Sequence, residues 1–252
     1  MQKVTDYDYC LVHLLDENRN YLDQFKQAIE NGREVILDNS LFELETPFDP
    51  DQFFYWVEQL KPTWYIIPDA LEDKELTISN CKSWVNTYTP TSSKSIAVVQ
   101  GKTYEEVVEC YKAIEPLVDK VAISFDYSFF KEWYPNQATK FHQYVLGRQK
   151  MLQMLVSDGV INTAKPHHLL GCGLAFEFAQ YLNYNWIDSL DTSNPVVAGI
   201  KGLRYGYYSA GWGLQDKPSQ KLHLLINEQL TETQKQDIFF NIEKFRENLS
   251  KS

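Results

Sequence analysis

The sequence predicts a single α/β domain over residues 1–252, folded as a TIM-type (β/α)8 barrel. Short apolar runs alternate with longer amphipathic segments, the pattern of parallel strands joined by helices. A length of 252 residues suits one barrel and is short for two ordinary domains. No Gly-x-Gly-x-x-Gly follows the first apolar run, which counts against an open dinucleotide-binding sheet.

Seven apolar runs are the strand candidates, and an eighth strand is expected after Pro195, where the pattern does not fix its position. The seven are residues 9–14, 34–37, 63–67, 95–99, 120–123, 167–170 and 185–187. The helix candidates are residues 21–30, 51–60, 74–87, a segment that begins at Thr103, 136–156, 176–182 and a closing C-terminal helix at 231–249. Glu106 lies three residues after Thr103, the spacing of a capping box.

Composition and charge restrict the class of protein. Hydrophobic residues make up 44% of the chain and charged residues 23%, which indicates a globular protein. No apolar stretch approaches the roughly 20 residues needed to cross a bilayer, and the N-terminus lacks the apolar run of a signal peptide. We therefore expect a soluble, cytoplasmic protein with no membrane partner.

The net charge of −10 argues against a surface coated with nucleic acid, but it leaves room for a local basic site. Residues 195–223 form such a segment, because they hold four cations against the single acid Asp216. The cations are Lys201, Arg204, Lys217 and Lys221.

We expect no metal and no cofactor. The four cysteines are far apart and lack zinc-ligand spacing, so buried, reduced thiols are expected. They are Cys10, Cys81, Cys110 and Cys172. The adjacent His167 and His168 point to opposite faces of a strand and do not naturally chelate one ion, so we expect one to be buried and the other exposed.

Polar residues follow most of the predicted strands, at the end where barrels carry their catalytic groups. In chain order they are Asp38, Asp69, Gln100-Gly101, Ser124, Gly171, Asp188 and Asp191. A lone Asp after a strand is usually a turn or capping residue. Several acids on one rim are less ordinary, since crowded like charges are costly unless function requires them.

The chemistry of this rim suits a purine and a sugar. Asp38 and Asp69 offer acceptors, and Gln100 offers a donor and an acceptor in one plane. Ser124 and the glycine amides add small donors, and Phe42 is placed to stack on a flat ring. A further Asp on the rim supplies a nucleophile for an anomeric carbon, which is established chemistry for splitting a glycosidic bond in two steps.

Five segments together resemble the tRNA-guanine transglycosylases, and resemble still more their DNA-acting relatives of phages and bacterial islands, which insert 7-deazaguanines. The segments are ILDNS (36–40), PDALED (68–73), VVQGK (98–102), HLLGCG (168–173) and IDSLDTSNP (187–195). The resemblance implies that guanine in DNA is exchanged for a 7-deazaguanine, such as 7-cyano-7-deazaguanine, through a covalent aspartyl-glycosyl intermediate. It implies that DNA, guanine and the free 7-deazaguanine base are the partners. It implies the host cytoplasm as the location if the gene is phage-borne, and a homodimer is possible as the oligomeric state.

The resemblance also implies a role for each residue. Asp191 matches the nucleophile, and Asp38 matches the Asp that acts near the base and the nucleophile. Phe42 matches the aromatic residue that stacks on the base. Asp69 and Gln100-Gly101 match the residues that recognise guanine. Ser124 and Gly171 are assigned to the substrate site as further donors from the chemistry of the rim and not from the resemblance. For Asp188 we prefer a structural role in a turn.

The sequence departs from the family pattern in three places. The CxCxxC…His zinc subdomain of the tRNA enzymes is missing, which counts against tRNA as the substrate. The Gly-Gly-Leu expected after the fifth strand reads Ser124-Phe125-Asp126, which leaves the identity of the incoming base open. The two glycines expected after Asp38 are replaced by Ser40 and Leu41.

A nucleic-acid contact is expected just after Asp191, where Lys201, Arg204 and Tyr205 combine cations with an aromatic ring. Tyr207, Tyr208 and Trp212 continue this segment, and a tyrosine-rich closure of the barrel explains all four aromatic residues, Tyr205 included, equally well. A duplex hides the glycosidic carbon, so the target base has to be flipped out. Three alternatives stay open: base exchange on tRNA, a non-catalytic nucleic-acid-binding subunit, and an unrelated barrel hydrolase that uses the same carboxylates.

Overall fold

The computed structural model describes residues 4–205 and 222–247, and the chain divides into two compact units. The first unit comprises Met1–Ile123 together with Lys165–His167. The second unit comprises Ser124–Ala164 together with His168–Ser252. The chain therefore leaves the first unit after Ile123, returns for three residues and leaves it again.

Seven strands are hydrogen-bonded in chain order in one parallel sheet, which confirms the predicted α/β class. They are β1 (Asp8–Leu11), β2 (Val35–Asp38), β3 (Trp64–Ile66), β4 (Lys94–Val99), β5 (Lys120–Ile123), β6 (His167–Leu169) and β7 (Ile187–Leu190). The register of the first four pairs matches Tyr9 with Ile36, Leu37 with Tyr65, Ile66 with Ile96 and Val99 with Ile123. Within 4–205 and 222–247 there is no eighth strand.

Ten α-helices lie in the described ranges. Those of the first unit are α1 (His13–Glu17), α2 (Arg19–Glu30), α3 (Leu41–Leu44), α4 (Pro50–Leu60), α5 (Lys74–Thr87) and α6 (Tyr104–Ile114). Those of the second are α7 (Phe129–Trp133), α8 (Lys140–Ser157), α9 (Asn194–Ile200) and α10 (Glu232–Glu247). The predicted cap of α6 is present, since Thr103 Oγ accepts the N–H of Glu106 at 3.2 Å.

Three predicted elements differ from those observed. The first strand ends at Leu11, and the apolar residues after it begin helix α1, because a short buried run has no period that separates strand from helix. The strand predicted at 185–187 is β7, so Asp188 lies inside a strand and not in a turn. The segment predicted as a helix at 176–182 is a 3-10 helix, Ala175–Gln180.

The core of the first unit lies around its central strands. Residues Val35 to Leu37, Ile96 to Val99 and Val121 to Ile123 are all buried, with no alternation between buried and exposed positions. Such continuous apolar strands are typical of a parallel sheet covered on both faces. Helices α4 and α5 contribute Phe53 and Trp84, whose ring centroids lie 5.5 Å apart.

The second unit is built on the long helix α8 and the pair α9–α10. Helix α8 buries Met151 and Leu152, and its Gly147 lies so close to Phe130 that an added Cβ would come within 2.2 Å of that ring. At Gly199 in α9, a Cβ would come within 2.5 Å of Ile238 in α10. Glycine at these two positions therefore sets how closely the helices approach.

All four cysteines are buried and free of disulfides, as expected. The expectation for the paired histidines is wrong, because His167 and His168 are both fully buried. In strands covered on both faces, each side-chain direction leads into the protein. His167 lies parallel to the ring of Tyr111 and pairs with its hydroxyl at 2.9 Å.

None of the helices within 4–205 and 222–247 is both long enough and apolar enough to cross a membrane.

Candidate functional site

The first unit holds a cluster of two amides and a carboxylate, formed by Asn39, Asp69 and Gln100, which we call the amide–carboxylate cluster. Asn39 Nδ2 donates to Asp69 Oδ1 at 2.8 Å, and Gln100 Nε2 donates to Asp69 Oδ2 at 2.6 Å. Each residue directly follows its strand, or lies within three residues of its end. The structure thus brings together Asp69 and Gln100, as the sequence predicted, and adds Asn39.

Backbone partners fix which way the two amides face. Gln100 Oε1 accepts the N–H of Glu72 at 2.9 Å, so its Nε2 has to point towards Asp69. Asn39 Oδ1 accepts the N–H of Leu41 at 3.0 Å, and its Nδ2 also donates to the carbonyl of Ile67 at 3.1 Å. Flipping either amide would break these bonds, so the cluster presents Asp69 with two fixed donors.

The Asp69 carboxyl is almost closed off from solvent, since only 5% of the residue is exposed. Burial raises the pKa of Asp69 above its ordinary value, and the hydrogen bonds from Gln100 and Asn39 oppose that rise because they favour the carboxylate. Acids with a pKa shifted by burial and by specific hydrogen bonds are concentrated at functional sites.

Asp38 lies at the end of β2 and organises the turn that follows. Its Oδ2 accepts the hydroxyl of Tyr9 at 2.7 Å, and its Oδ1 accepts the N–H of Ser40 at 2.6 Å. Ser40 has φ of 61°, the left-handed conformation that glycine favours. Ser40 therefore holds a backbone conformation in this turn that glycine usually supplies.

Phe42 and Gly101 differ in exposure, since Phe42 is largely exposed and Gly101 is buried. Phe42 lies in the short helix α3 just after this turn and is 54% exposed, so much of its ring is accessible for stacking. Gly101 is packed against the start of α6, where an added Cβ would come within 2.8 Å of Glu106 Cβ and Val107 N. Close packing of β4 against α6 explains this glycine without a ligand.

The second unit holds Asp191 directly after β7. Its Oδ1 accepts the N–H of Gly171 at 2.9 Å and lies 3.2 Å from His168 Nε2. In the described part of the chain, its Oδ2 has no hydrogen-bond partner. The side chain of Asp191 is 26% exposed whereas that of His168 is fully buried. One carboxylate oxygen is therefore held from inside the unit, and the other has no partner among the described residues.

A buried ion pair supports the loop that meets Asp191. Arg148 in α8 donates from Nε to Glu177 Oε1 at 2.6 Å, and both side chains are fully buried. Its Nη1 and Nη2 donate to the carbonyls of Leu170 and Gly171, each at 2.7 Å. Because Gly171 donates its own N–H to Asp191, the guanidinium fixes the peptide that in turn fixes the carboxylate.

The segment after Asp191 is tied to the same loop. Thr192 Oγ1 donates to the carbonyl of Cys172 at 2.9 Å, and the side-chain amide of Asn194 donates to the carbonyl of Gly173. Gly171 has φ of 63°, which favours glycine there. The chain that follows Asp191 is thereby held against the loop after β6, which restricts the position of Asp191.

Ser124 also lies in the second unit, where its Oγ donates to Asp126 Oδ1 at 3.1 Å. The loop after β5 therefore carries an internal Ser–Asp hydrogen bond.

The predicted nucleic-acid residues differ in exposure. Lys201 is exposed at the end of α9. Arg204 is about half exposed, lies 3.9 Å from the centroid of the Phe240 ring and pairs with Asp237 at 3.6 Å. Tyr205 is buried, and its hydroxyl donates to Asn194 Oδ1 at 2.9 Å. Its ring thus supports the interior of the unit instead of facing solvent, and a nucleic-acid contact is no longer assigned to it. Tyr207, Tyr208 and Trp212 lie outside the described residues.

Sequence reasoning missed three contributors: Asn39, His168 and the Arg148–Glu177 pair. Asn39 follows Asp38 directly and was visible as a strand-end polar residue. His168 lies on the strand next to that of Asp191 in the sheet order, and without that order no signal shows that the two side chains meet. Arg148 lies amid the apolar face of α8, and no local pattern separates it from a surface arginine.

In the ranges that the structure describes, no group of three or more His, Cys, Asp or Glu side chains has the arrangement of a metal site. Compared with known proteins, the chain matches no family model and no curated protein.

Proposed function

We propose that the protein is a DNA-guanine transglycosylase that exchanges guanine in DNA for a 7-deazaguanine, with Asp191 as the nucleophile. The observation that carries the proposal is the state of the Asp191 carboxylate. Its Oδ1 is held by Gly171 and His168, and its Oδ2 is without a partner in the described residues. A carboxylate fixed in this way suits attack on an anomeric carbon.

The exchange takes two displacements at C1′ of the target nucleotide. In the first, Asp191 Oδ2 forms a bond to C1′ while the C1′–N9 bond breaks, and guanine leaves with the bonding electrons and takes up a proton. In the second, N9 of the incoming base gives up its proton and bonds to C1′ as the ester bond to Asp191 breaks. Asp38, which the Tyr9 hydroxyl orients, is assigned the proton transfers.

Recognition of the base is assigned to the amide–carboxylate cluster. A carboxylate has about four acceptor positions, and the two amides occupy one on each oxygen of Asp69. Gln100 Nε2 keeps its second N–H. The cluster therefore retains acceptors for the N–H groups of guanine and a donor for its carbonyl, and the exposed ring of Phe42 adds a stacking surface.

The choice of DNA over tRNA rests on the resemblance of the five strand-end segments, which is closer to the DNA-acting relatives than to the tRNA enzymes. Lys201 and Arg204 are assigned contacts with phosphates. The proposal includes the complete (β/α)8 barrel of the family. Seven parallel strands in chain order, alternating with helices, support it.

The experiment is a labelled-guanine exchange assay on duplex DNA and on tRNA side by side, followed by nucleoside mass spectrometry after a 7-deazaguanine is supplied. We expect label in DNA only, and loss of exchange in Asp191→Asn. Asp188→Asn is the matched control, because Asp188 is an exposed acid three residues earlier in β7 and should leave exchange intact.

Exchange on tRNA alone would replace DNA with tRNA as the substrate. A folded protein that binds DNA but exchanges on neither nucleic acid would support the non-catalytic subunit instead.

A further inference from the structure

The fully buried ring of His168 contacts two side chains, that of Ser189 in β7 and that of Asp191 directly after β7. Its Nδ1 lies 2.9 Å from Ser189 Oγ, and its Nε2 lies 3.2 Å from Asp191 Oδ1. Ser189 and Asp191 are two residues apart on an extended chain, so their side chains point to the same side and reach the same ring. Neither the charge pattern nor the family resemblance assigned a role to this histidine.

We propose that His168 is a positioning residue for Asp191, an inference that rests on the proposed function. In this arrangement Ser189 donates its hydroxyl hydrogen to Nδ1, and the ring donates its Nε2–H to Asp191 Oδ1. The neutral ring can make both bonds only as the Nε2–H tautomer, because one ring nitrogen then accepts while the other donates. The Asp191 carboxylate only accepts, so it requires the Nε2–H tautomer. The Ser189 hydroxyl, which can donate or accept, supplies the hydrogen bond that Nδ1 accepts in that tautomer.

The consequence for Asp191 is a distinction between its two oxygens. Oδ1 receives two N–H donors, one from the backbone of Gly171 and one from His168, whereas Oδ2 receives none from the described residues. Two donors from different directions on one oxygen fix the rotation of the carboxylate about its Cβ–Cγ bond. His168 is too deeply buried to contact a substrate, so its effect on the reaction passes through Asp191.

The experiment compares exchange kinetics of three variants. His168→Leu removes the donor and should lower kcat about 100-fold, the effect expected when a reacting group is misplaced by about 1 Å. The KM for the free base should change less than about threefold. His168→Gln returns an N–H near the position of Nε2 and should recover at least about tenfold of the lost kcat, whereas His168→Asn, with a shorter side chain, should not.

Ser189→Ala tests the other end of the ring and excludes a different chemistry. If Ser189 only supports the Nε2–H tautomer that the carboxylate requires, its loss should lower kcat about tenfold or less, since that tautomer stays accessible. Complete loss of exchange in Ser189→Ala, with exchange retained in His168→Leu, would overturn the inference by making Ser189 the reacting group.

An NMR readout of the ring is independent of activity. In ¹⁵N-labelled protein, we expect His168 to carry its proton on Nε2, and the Nε2 resonance to shift in Asp191→Ala. A proton on Nδ1 alone would overturn the inference, because a lone pair would then face the carboxylate. If His168→Leu fails to fold, the comparison of His168→Gln with His168→Asn decides, and equal kcat values would contradict the proposal.

The proposed function and the positioning role of His168 are contradicted by different results. Wild-type protein that shows the Nε2–H tautomer but no exchange on DNA or tRNA contradicts the proposed function, and with it the role of His168 in that reaction. Wild-type exchange that is unchanged in a folded His168→Leu variant contradicts only the positioning role.

Discussion

Changing Glu177 to glutamine should lower the free energy of unfolding by about 3–5 kcal/mol, the usual effect of breaking a buried ion pair. The Glu177 carboxylate accepts from Arg148 on both oxygens, at 2.6 and 3.1 Å, and from the Tyr181 hydroxyl at 2.8 Å. Both of its oxygens are thus occupied by donors. Whichever way a glutamine amide turns, its NH2 group has to face one of those donors, so one hydrogen bond is lost. In addition, the Arg148 guanidinium keeps its charge in a fully buried site that no longer contains a carboxylate.

For a chain of this size, about 2–4 °C of melting temperature corresponds to 1 kcal/mol, so the melting temperature should fall by roughly 6–20 °C. The assay is urea and thermal unfolding followed by circular dichroism, with Asp23→Asn as the control. Asp23 also pairs with an arginine, Arg19, but the two side chains are 53% and 77% exposed. The control should unfold at nearly the wild-type midpoint.

A double-mutant cycle completes this test. Arg148→Met alone leaves a buried carboxylate without its cation, whereas Arg148→Met combined with Glu177→Gln removes both charges. The double variant should therefore be less destabilised than the sum of the two single variants. A loss below about 1 kcal/mol in Glu177→Gln, or strict additivity in the cycle, would show that the pair does not hold the loop as described.

Two further predictions concern the other parts of the site. Because burial raises the pKa of Asp69, its contribution to stability is present below its ordinary value of 3.8 and is lost as pH rises through the folded-state value. Asp69→Asn should therefore become less destabilising relative to wild type between pH 4 and pH 7 in urea unfolding, and a constant difference would contradict the raised pKa. Lys201→Glu should weaken DNA binding and reduce the slope of log K against log salt by about one, with affinity for the free base unchanged. Equal DNA affinity at two salt concentrations would place the nucleic acid on another face.

Much of the fold could be predicted from local patterns. Strand β5 and helix α5 have the predicted bounds, because a continuous buried run flanked by polar residues and a helix capped by Asp73 are each defined within a few residues. Their cap and burial signals do not depend on distant parts of the chain. Asp69 and Gln100 could likewise be brought together from sequence alone, since both follow neighbouring parallel strands.

What could not be predicted depends on side-chain packing between distant segments. The apolar run after Leu11 is equally consistent with a longer strand, and only tertiary packing makes its second half helix α1. For Tyr205 the sequence left a nucleic-acid contact and a tyrosine-rich closure of the barrel open, because a tyrosine is as well suited to a buried hydrogen bond, here with Asn194, as to an exposed contact. The partnership of Arg148 with Glu177 spans 29 residues, and no short-range pattern indicates it.

Mass spectrometry of the protein trapped on DNA tests most directly whether Asp191 is the nucleophile. Wild-type protein is mixed with a guanine-containing duplex without an incoming base, quenched in denaturant, digested and mapped. We expect a deoxyribosyl ester on the peptide that contains Asp191, absent from Asp191→Asn and present in Asp188→Asn. A covalent adduct on any other residue, or continued guanine exchange by a folded Asp191→Asn variant, would contradict the assignment of Asp191 as the nucleophile.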